Sequence, residues 1–259
     1  MAMKSKTFGL VLISFLSTNL YAQNTRIRDN NTVGWFNNFT TIKFSKKWSG
    51  HVEYQWRRES IIKDWLQSLL RVGINYQANP KLQLRNGYAW IETFAYGDIP
   101  VNSFGKKFTE HRLYEMATIT DKISIVDLSH RFMLEQRWVG RYSNAGLSKE
   151  DDYLFLNRLR YMYRMQVPLK GKTIADKTAY AAIYDEVFLG FGKNVNENVF
   201  DQNRLGILLG YKLNKNFRAE AGYFNQILQL GREVNNKNVF QYNSGVILNT
   251  YINVDLSKK

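Results

Sequence analysis

The sequence predicts an all-β fold: an antiparallel up-and-down transmembrane barrel. Three observations carry this. Apolar and polar residues alternate with period two in segments of about ten residues, the length of a tilted membrane-crossing strand. The connections between segments alternate between short and long, as in outer-membrane barrels. No internal apolar run approaches the roughly 20 residues of a membrane-spanning helix.

Composition agrees. The chain has 259 residues, a formal net charge of +14, 15% aromatic residues, three Pro and no Cys. Zero Cys excludes a disulfide framework and any Cys-ligated metal centre. A mean hydropathy of −0.40 argues against a helical membrane bundle. It is compatible with strands whose two faces average out as polar.

The first element is an address. Lys4 and Lys6 precede an apolar stretch from Phe8 to Leu16, and Leu20-Tyr21-Ala22 offers a cut site. This predicts a cleaved secretory signal peptide at residues 1–22, followed by one barrel domain at 23–259. Eleven alternating runs then follow, at 32–44, 48–58, 65–77, 81–92, 108–120, 123–139, 152–167, 178–190, 200–213, 217–228 and 238–256. In 200–213, Leu205, Ile207, Leu209 and Tyr211 oppose Gln202, Arg204, Gly206 and Gly210, with Leu208 out of pattern. In 123–139, Leu128, His130, Phe132, Leu134 and Trp138 oppose Ser129, Arg131, Met133, Glu135 and Arg137. In 152–167, Leu159, Tyr161, Tyr163, Met165 and Val167 oppose Arg158, Arg160, Met162, Arg164 and Gln166. A helix would scatter each apolar set around its circumference.

Ser45-Lys46-Lys47, Gln77 to Pro80, Asp121-Lys122 and Asn214-Lys215-Asn216 read as short periplasmic turns. Glu59 to Asp64, Glu92 to Lys107, Gly140 to Asp151, Gly190 to Val199 and Gln229 to Lys237 read as longer extracellular loops. Pro168 to Lys177 is the one long connection on the short side. The competing folds are a soluble sandwich and a lipocalin-like barrel, whose outer face should be rich in Lys and Glu. Here Lys concentrates in turns and loops, and the polar strand faces carry Arg, Glu, Asn, Gln and Gly. Trp35, Trp48, Trp56, Trp65, Trp90, Trp138, Tyr211 and Tyr251 lie near run ends, where interfacial aromatic girdles are expected. Single-chain bacterial barrels have even strand counts. The expected number is therefore about twelve, with Gln23 to Asn31 as an additional strand, or else ten.

Along the runs, Glu110-His111-Arg112, then His130-Arg131 with Glu135 and Arg137, Asn157-Arg158 with Arg160, Glu186, Asn203-Arg204 and Gly222-Tyr223 follow in order. This set resembles a DUF2490-like family of small Gram-negative outer-membrane β-barrels, a domain of unknown function. The resemblance implies an outer-membrane location and no established activity. Such barrels often end on an aromatic residue. Here Leu256 is the last apolar residue, so the segment from Tyr251 to Leu256 that the barrel assembly machinery would read departs from that pattern.

The inward polar face collects Glu110, Arg112, Arg131, Glu135, Arg137, Arg158, Arg160, Glu186 and Arg204, together with Glu53, Arg57, Arg71, Arg85, Arg164, Arg218 and Glu220. In a narrow lumen these either pair across strands and fill the interior, or line a passage whose excess of Arg favours a small anionic solute. The alternatives are an outer-membrane enzyme acting on lipid and a surface interaction barrel using its long loops. The enzyme reading is the poorer one. Ser129 and His130, like Glu110 and His111, are strand neighbours that face opposite ways, and there is no Gly-x-Ser-x-Gly elbow. His51, His111 and His130 lie on separate strands without metal-cluster spacing. No cofactor or metal is expected. Export argues against nucleic acid as a partner, despite a pI of 9.7. The Lys of loops and turns either meets outer-membrane lipid and lipopolysaccharide phosphates or is simply solvated.

Overall fold

The computed structural model describes residues 26–196 and 198–257, so the signal peptide expected at 1–22 lies outside the described residues. Eleven strands form: β1 Arg26–Lys43, β2 Trp48–Glu59, β3 Asp64–Gln77, β4 Leu82–Thr93, β5 Phe108–Ile123, β6 Val126–Arg141, β7 Asp152–Pro168, β8 Thr178–Phe191, β9 Phe200–Asn214, β10 Phe217–Val234 and β11 Lys237–Asp255. They close into one barrel in which each strand pairs with its sequence neighbour and β1 pairs with β11.

The closure corrects two expectations. Among the described residues the count is eleven, neither twelve nor ten, and the barrel is not wholly antiparallel. Strands that reverse direction at every turn leave the first and eleventh running the same way, so the β1–β11 seam must be parallel. It runs in unbroken register from Arg26↔Asn238 to Lys43↔Asp255. Among the described residues no additional strand precedes β1. Arg26 to Asn31 simply lengthens it, hydrogen-bonded along the extended end of β11. The described chain ends therefore lie at opposite ends of the barrel.

At one end sit the connections 44–47, 78–81, 124–125, 169–177 and 215–216. At the other sit 60–63, 94–107, 142–151, 192–199 and 235–236. The last corrects the expected loop from Gln229 to Lys237. β10 continues to Val234, and Asn235 and Asn236 turn at φ 51° and 56°. Two consecutive left-handed residues make the tight hairpin turn that asparagine tolerates best. The polar residues of that segment resemble a loop in sequence, but they extend the barrel wall as the ends of β10 and β11.

The faces alternate as expected on most strands. On β9, Leu209 is 66% exposed on the outside, while Gly206, Leu208 and Gly210 are buried inside. Leu208 fits once the interior is seen. It joins Trp35, Phe224, Ile247 and Tyr180 in an apolar inner wall. Three inner-face glycines receive aromatic rings from the paired strand: Gly87 lies beneath Tyr114, Gly206 beneath Tyr184 and Gly210 beneath Tyr180. A methyl group at Gly206 would collide with the Tyr184 ring, so this is a filled position.

The outer surface carries a belt of exposed apolar side chains, including Val72, Leu113, Leu159, Ile207 and Val246. Trp48, Trp65, Trp90 and Tyr211 are exposed on it, and Trp56 and Trp138 are partly covered. The belt is interrupted where Asn203 donates to Asp185 at 3.0 Å and Gln136 to Glu115 at 3.3 Å. Trp35 and Tyr251 correct the girdle expectation, because both turn inward. Trp35 is only 3% exposed and packs on Phe224, and the Tyr251 hydroxyl donates to Glu220 at 3.0 Å. Both faces of β1 mix polar and apolar residues, so alternation alone could not orient it.

The parallel seam has a direct test. Asn38 and Thr250 are register partners whose side chains hydrogen-bond at 3.0 Å. The chain has no native cysteine. Asn38→Cys/Thr250→Cys should therefore form an intramolecular disulfide on oxidation, since neighbouring strands bring Cα atoms within the roughly 4.4–6.8 Å that a disulfide spans. A folded double variant that stays reduced under oxidant would contradict the closure.

Candidate functional site

The site is the barrel lumen, and one carboxylate organises it. Glu135 on β6 has no exposed surface. Its Oε2 accepts from Arg158 Nε at 2.8 Å and Nη2 at 2.5 Å, and its Oε1 accepts from Arg160 Nη1 at 2.8 Å. Arg112 Nη1 and Arg71 Nη2 stand 3.6 and 3.9 Å from the same Oε1. Glu135 and Arg158 are direct register partners on β6 and β7, while Arg112 and Arg71 approach from β5 and β3. A charge deprived of water must be met by opposite charge and hydrogen bonds, and four guanidinium groups do that here.

The neighbouring acids extend the network. Glu186 accepts from Arg160 Nη2 at 2.8 Å and Arg131 Nη2 at 2.9 Å. Arg112 and Arg137 are directly opposed on β5 and β6, where like charges repel. Glu110 lies between them, accepting from Arg112 Nε at 2.6 Å and Arg137 Nε at 2.5 Å. Glu53 accepts from Arg71 Nη1 at 2.7 Å and bonds to His51 at 3.1 Å. Glu220 meets Arg164 and Tyr180. All nine charged residues read from the sequence as a lumen set face inward, and eight of them join these pairs. Arg204 does not.

Asp201 is a member that the alternation hid. It accepts from Arg158 Nη1 at 2.6 Å and stands 3.6 Å from Arg137 Nη1. In the β8–β9 register, Phe188 pairs with Gln202 and Leu189 with Phe200, so Asp201 is an extra bulge residue. A bulge re-aims a side chain that strict period two would send outward. His51 was also missed as a lumen residue. Among the described residues no group of three His, Asp or Glu is placed to hold a metal ion. Ser129 lines the lumen while His130 faces outward and bonds to Tyr161, so they form no nucleophile–base pair.

Two cavities flank the network. One of about 710 Å³ opens toward the longer loops, and one of about 620 Å³ opens toward the shorter turns. The β4–β5 connection, 94–107, folds over the first. Tyr96 enters the barrel and donates to Gln241 at 2.6 Å, Asp29 accepts the Ile99 N–H at 3.2 Å, and Arg232 donates to the Pro100 carbonyl at 2.6 Å. Arg57, Arg85, Arg204 and Arg218 make no ion pair among the described residues. Arg57 donates to Gln55 and Gln67, Arg85 to Asn75 and Arg204 to Gln202, and Arg218 lies over the Tyr251 ring.

Residues 32–237 match the model of a family described as "Protein of unknown function (DUF2490)". No curated protein matches the chain. Among solved structures the chain is similar to "NanC porin structure in rhombohedral crystal form", at 13% identity and a TM-score of 0.46, covering 85% of this chain and 97% of that one.

The network predicts unequal costs for removing charge. Glu135→Gln keeps the shape but leaves buried guanidiniums uncompensated, a change that typically costs about 3–5 kcal/mol. It should lower the denaturant midpoint of the barrel in lipid vesicles. Asp121→Asn removes an acid from the exposed Lys81 pair at the turn end and should leave the midpoint where it is. Equal midpoints for the two variants would mean that Glu135 is not in a packed interior.

Proposed function

This chain belongs to the DUF2490 family, whose members are described as proteins of unknown function, and from its own site we propose that it is an outer-membrane barrel whose narrow, arginine-rich lumen passes or holds small anions. The belt of exposed apolar side chains around a closed barrel supports the membrane location, since monomeric soluble proteins rarely expose large contiguous apolar patches. Outer-membrane lipid would cover that belt, and the turn residues Lys46, Lys47 and Lys215 would meet its anionic headgroups. The expected signal peptide supplies the export route.

The observation that carries the anion preference is the charge left over after pairing. Every acid of the central network is already engaged by arginine, yet Arg57, Arg85, Arg204 and Arg218 still face the two cavities. Arginine keeps its charge at any physiological pH, so this excess is permanent. In a confined space with low-dielectric walls, it concentrates anions and repels cations. The lumen is also narrow, because paired side chains fill its middle. The reading is therefore a restrictive passage for small solutes.

Planar bilayers test this. Protein recovered from the outer-membrane fraction, with the heat-modifiable gel mobility of a folded barrel, should give small currents that favour chloride over potassium. Glu186→Gln should raise that preference by removing a lumen negative charge. Cation-selective current, or recovery as a detergent-free soluble protein, would contradict the proposal.

A further inference from the structure

Among the described residues, Arg204 is the one side chain that lines both cavities. Its position on β9 places it where the loop-end and turn-end spaces meet. Its Nε donates to Gln202 Oε1 at 3.0 Å, and no described group accepts from its two Nη nitrogens. The guanidinium rests on aromatic faces instead, 4.8 Å from the Trp35 ring centroid and 4.5 Å from that of Phe188. Arg57 lies 3.7 Å from the centroid of the same Trp35 ring. Two guanidinium groups thus share one indole, and neither makes a direct ion pair among the described residues, although Glu186 is the register partner of Arg204 on β8. Beside them, the indole Nε1 of Trp35 is buried without an acceptor.

Resting this on the anion-passage reading above, we propose that Arg204, with Arg57 and Trp35, forms a binding site for one small oxyanion at the junction of the two cavities. The site takes a carboxylate or a phosphate group. An arginine whose outer nitrogens are free presents a planar fork to a pair of oxygens, the bidentate geometry that makes such pairs strong. The aromatic seat fixes the fork without consuming its donors, whereas a carboxylate partner would consume them. The surrounding arginines cannot serve in the same way. Arg158 and Arg160 also approach the Phe188 ring, but their nitrogens are committed to Glu135, Asp201 and Glu186. The unpaired indole N–H and two guanidiniums without a direct ion pair are buried costs, and an entering oxyanion relieves both.

The test combines binding and conduction on the full barrel. Acetate and inorganic phosphate are titrated calorimetrically into detergent-folded protein, and ion selectivity is read in planar bilayers. Both anions should compete for one site. Arg204→Gln should weaken acetate binding about tenfold, the usual scale for losing one charge-assisted bidentate contact. Arg218→Gln, which removes a charge from one cavity alone, should weaken it far less. Arg204→Lys keeps the charge and loses the fork. It should retain anion selectivity while binding acetate more weakly than wild type, and it serves as the readout if the Gln variant fails to fold. Anion-selective current with equal acetate affinity in wild type, Arg204→Lys and Arg218→Gln overturns the site and leaves the passage standing. Arg204-dependent acetate binding by a barrel that carries no current upholds the site and overturns the passage.

Discussion

The carboxylate of Glu135 lies wholly inside the barrel, and the rest of the lumen is arranged around keeping it charged. Moving such an ion out of water carries a penalty of several kcal/mol, repaid only by well-placed opposite charge. Arg158 and Arg160 supply it directly from the next strand, and Arg112 and Arg71 supply it from across the lumen. Those guanidiniums are buried too, so each recruits a further acid: Asp201, Glu186, Glu110 and Glu53. The network thus runs from β2 to β9 and ties strands that are not hydrogen-bonded neighbours. The remaining arc of wall, around β1 and β9 to β11, carries the apolar set of Trp35, Leu208, Phe224 and Ile247. The interior is filled partly by ion pairs and partly by packing.

Closure and filling are linked. An eleven-stranded barrel is narrow, and its diameter grows with strand number. At this width, long arginines can reach across to acids on non-adjacent strands. The same narrowness brings Tyr114, Tyr180 and Tyr184 down over glycines on the adjoining strands, where a β-carbon would have no room. The odd count costs the sheet little in pairing. Parallel ladders are only slightly weaker per residue than antiparallel ones, and the β1–β11 seam is among the longest in the barrel.

Much of this was legible in the sequence. All eleven runs appear as strands, and the inward or outward sense of Leu209, Arg131, Glu135, Arg158 and Arg160 follows from period two alone. What failed did so for physical reasons. The count of twelve came from a rule about even numbers, which a parallel seam does not obey. The tight turn at Asn235-Asn236 was read as a loop because the β10–β11 register shifts between Gln229 and Glu233, which breaks the alternation, and Arg232, Glu233, Asn235 and Asn236 are polar. Asp201 was invisible because a bulge breaks the alternation. Trp35 was assigned to a girdle because an aromatic residue near a run end looks the same whether it faces lipid or lumen. Which arginines remain unpaired is a property of three-dimensional contact, and no spacing in the chain distinguishes Arg204 from Arg160.

The separation between paired and unpaired arginines is what connects the fold to the proposed function. Paired residues hold the wall, and the residual charge faces the spaces that solutes would enter. That division stands only if Glu135 and its arginines are energetically coupled. A double-mutant cycle on Glu135→Gln and Arg158→Leu measures it most directly, from unfolding midpoints in lipid vesicles. Contacting charges in one buried network should show a coupling energy of about 1.5–3 kcal/mol. Additive effects of the two substitutions would contradict the account, because they would mean that the two side chains do not share a packed interior.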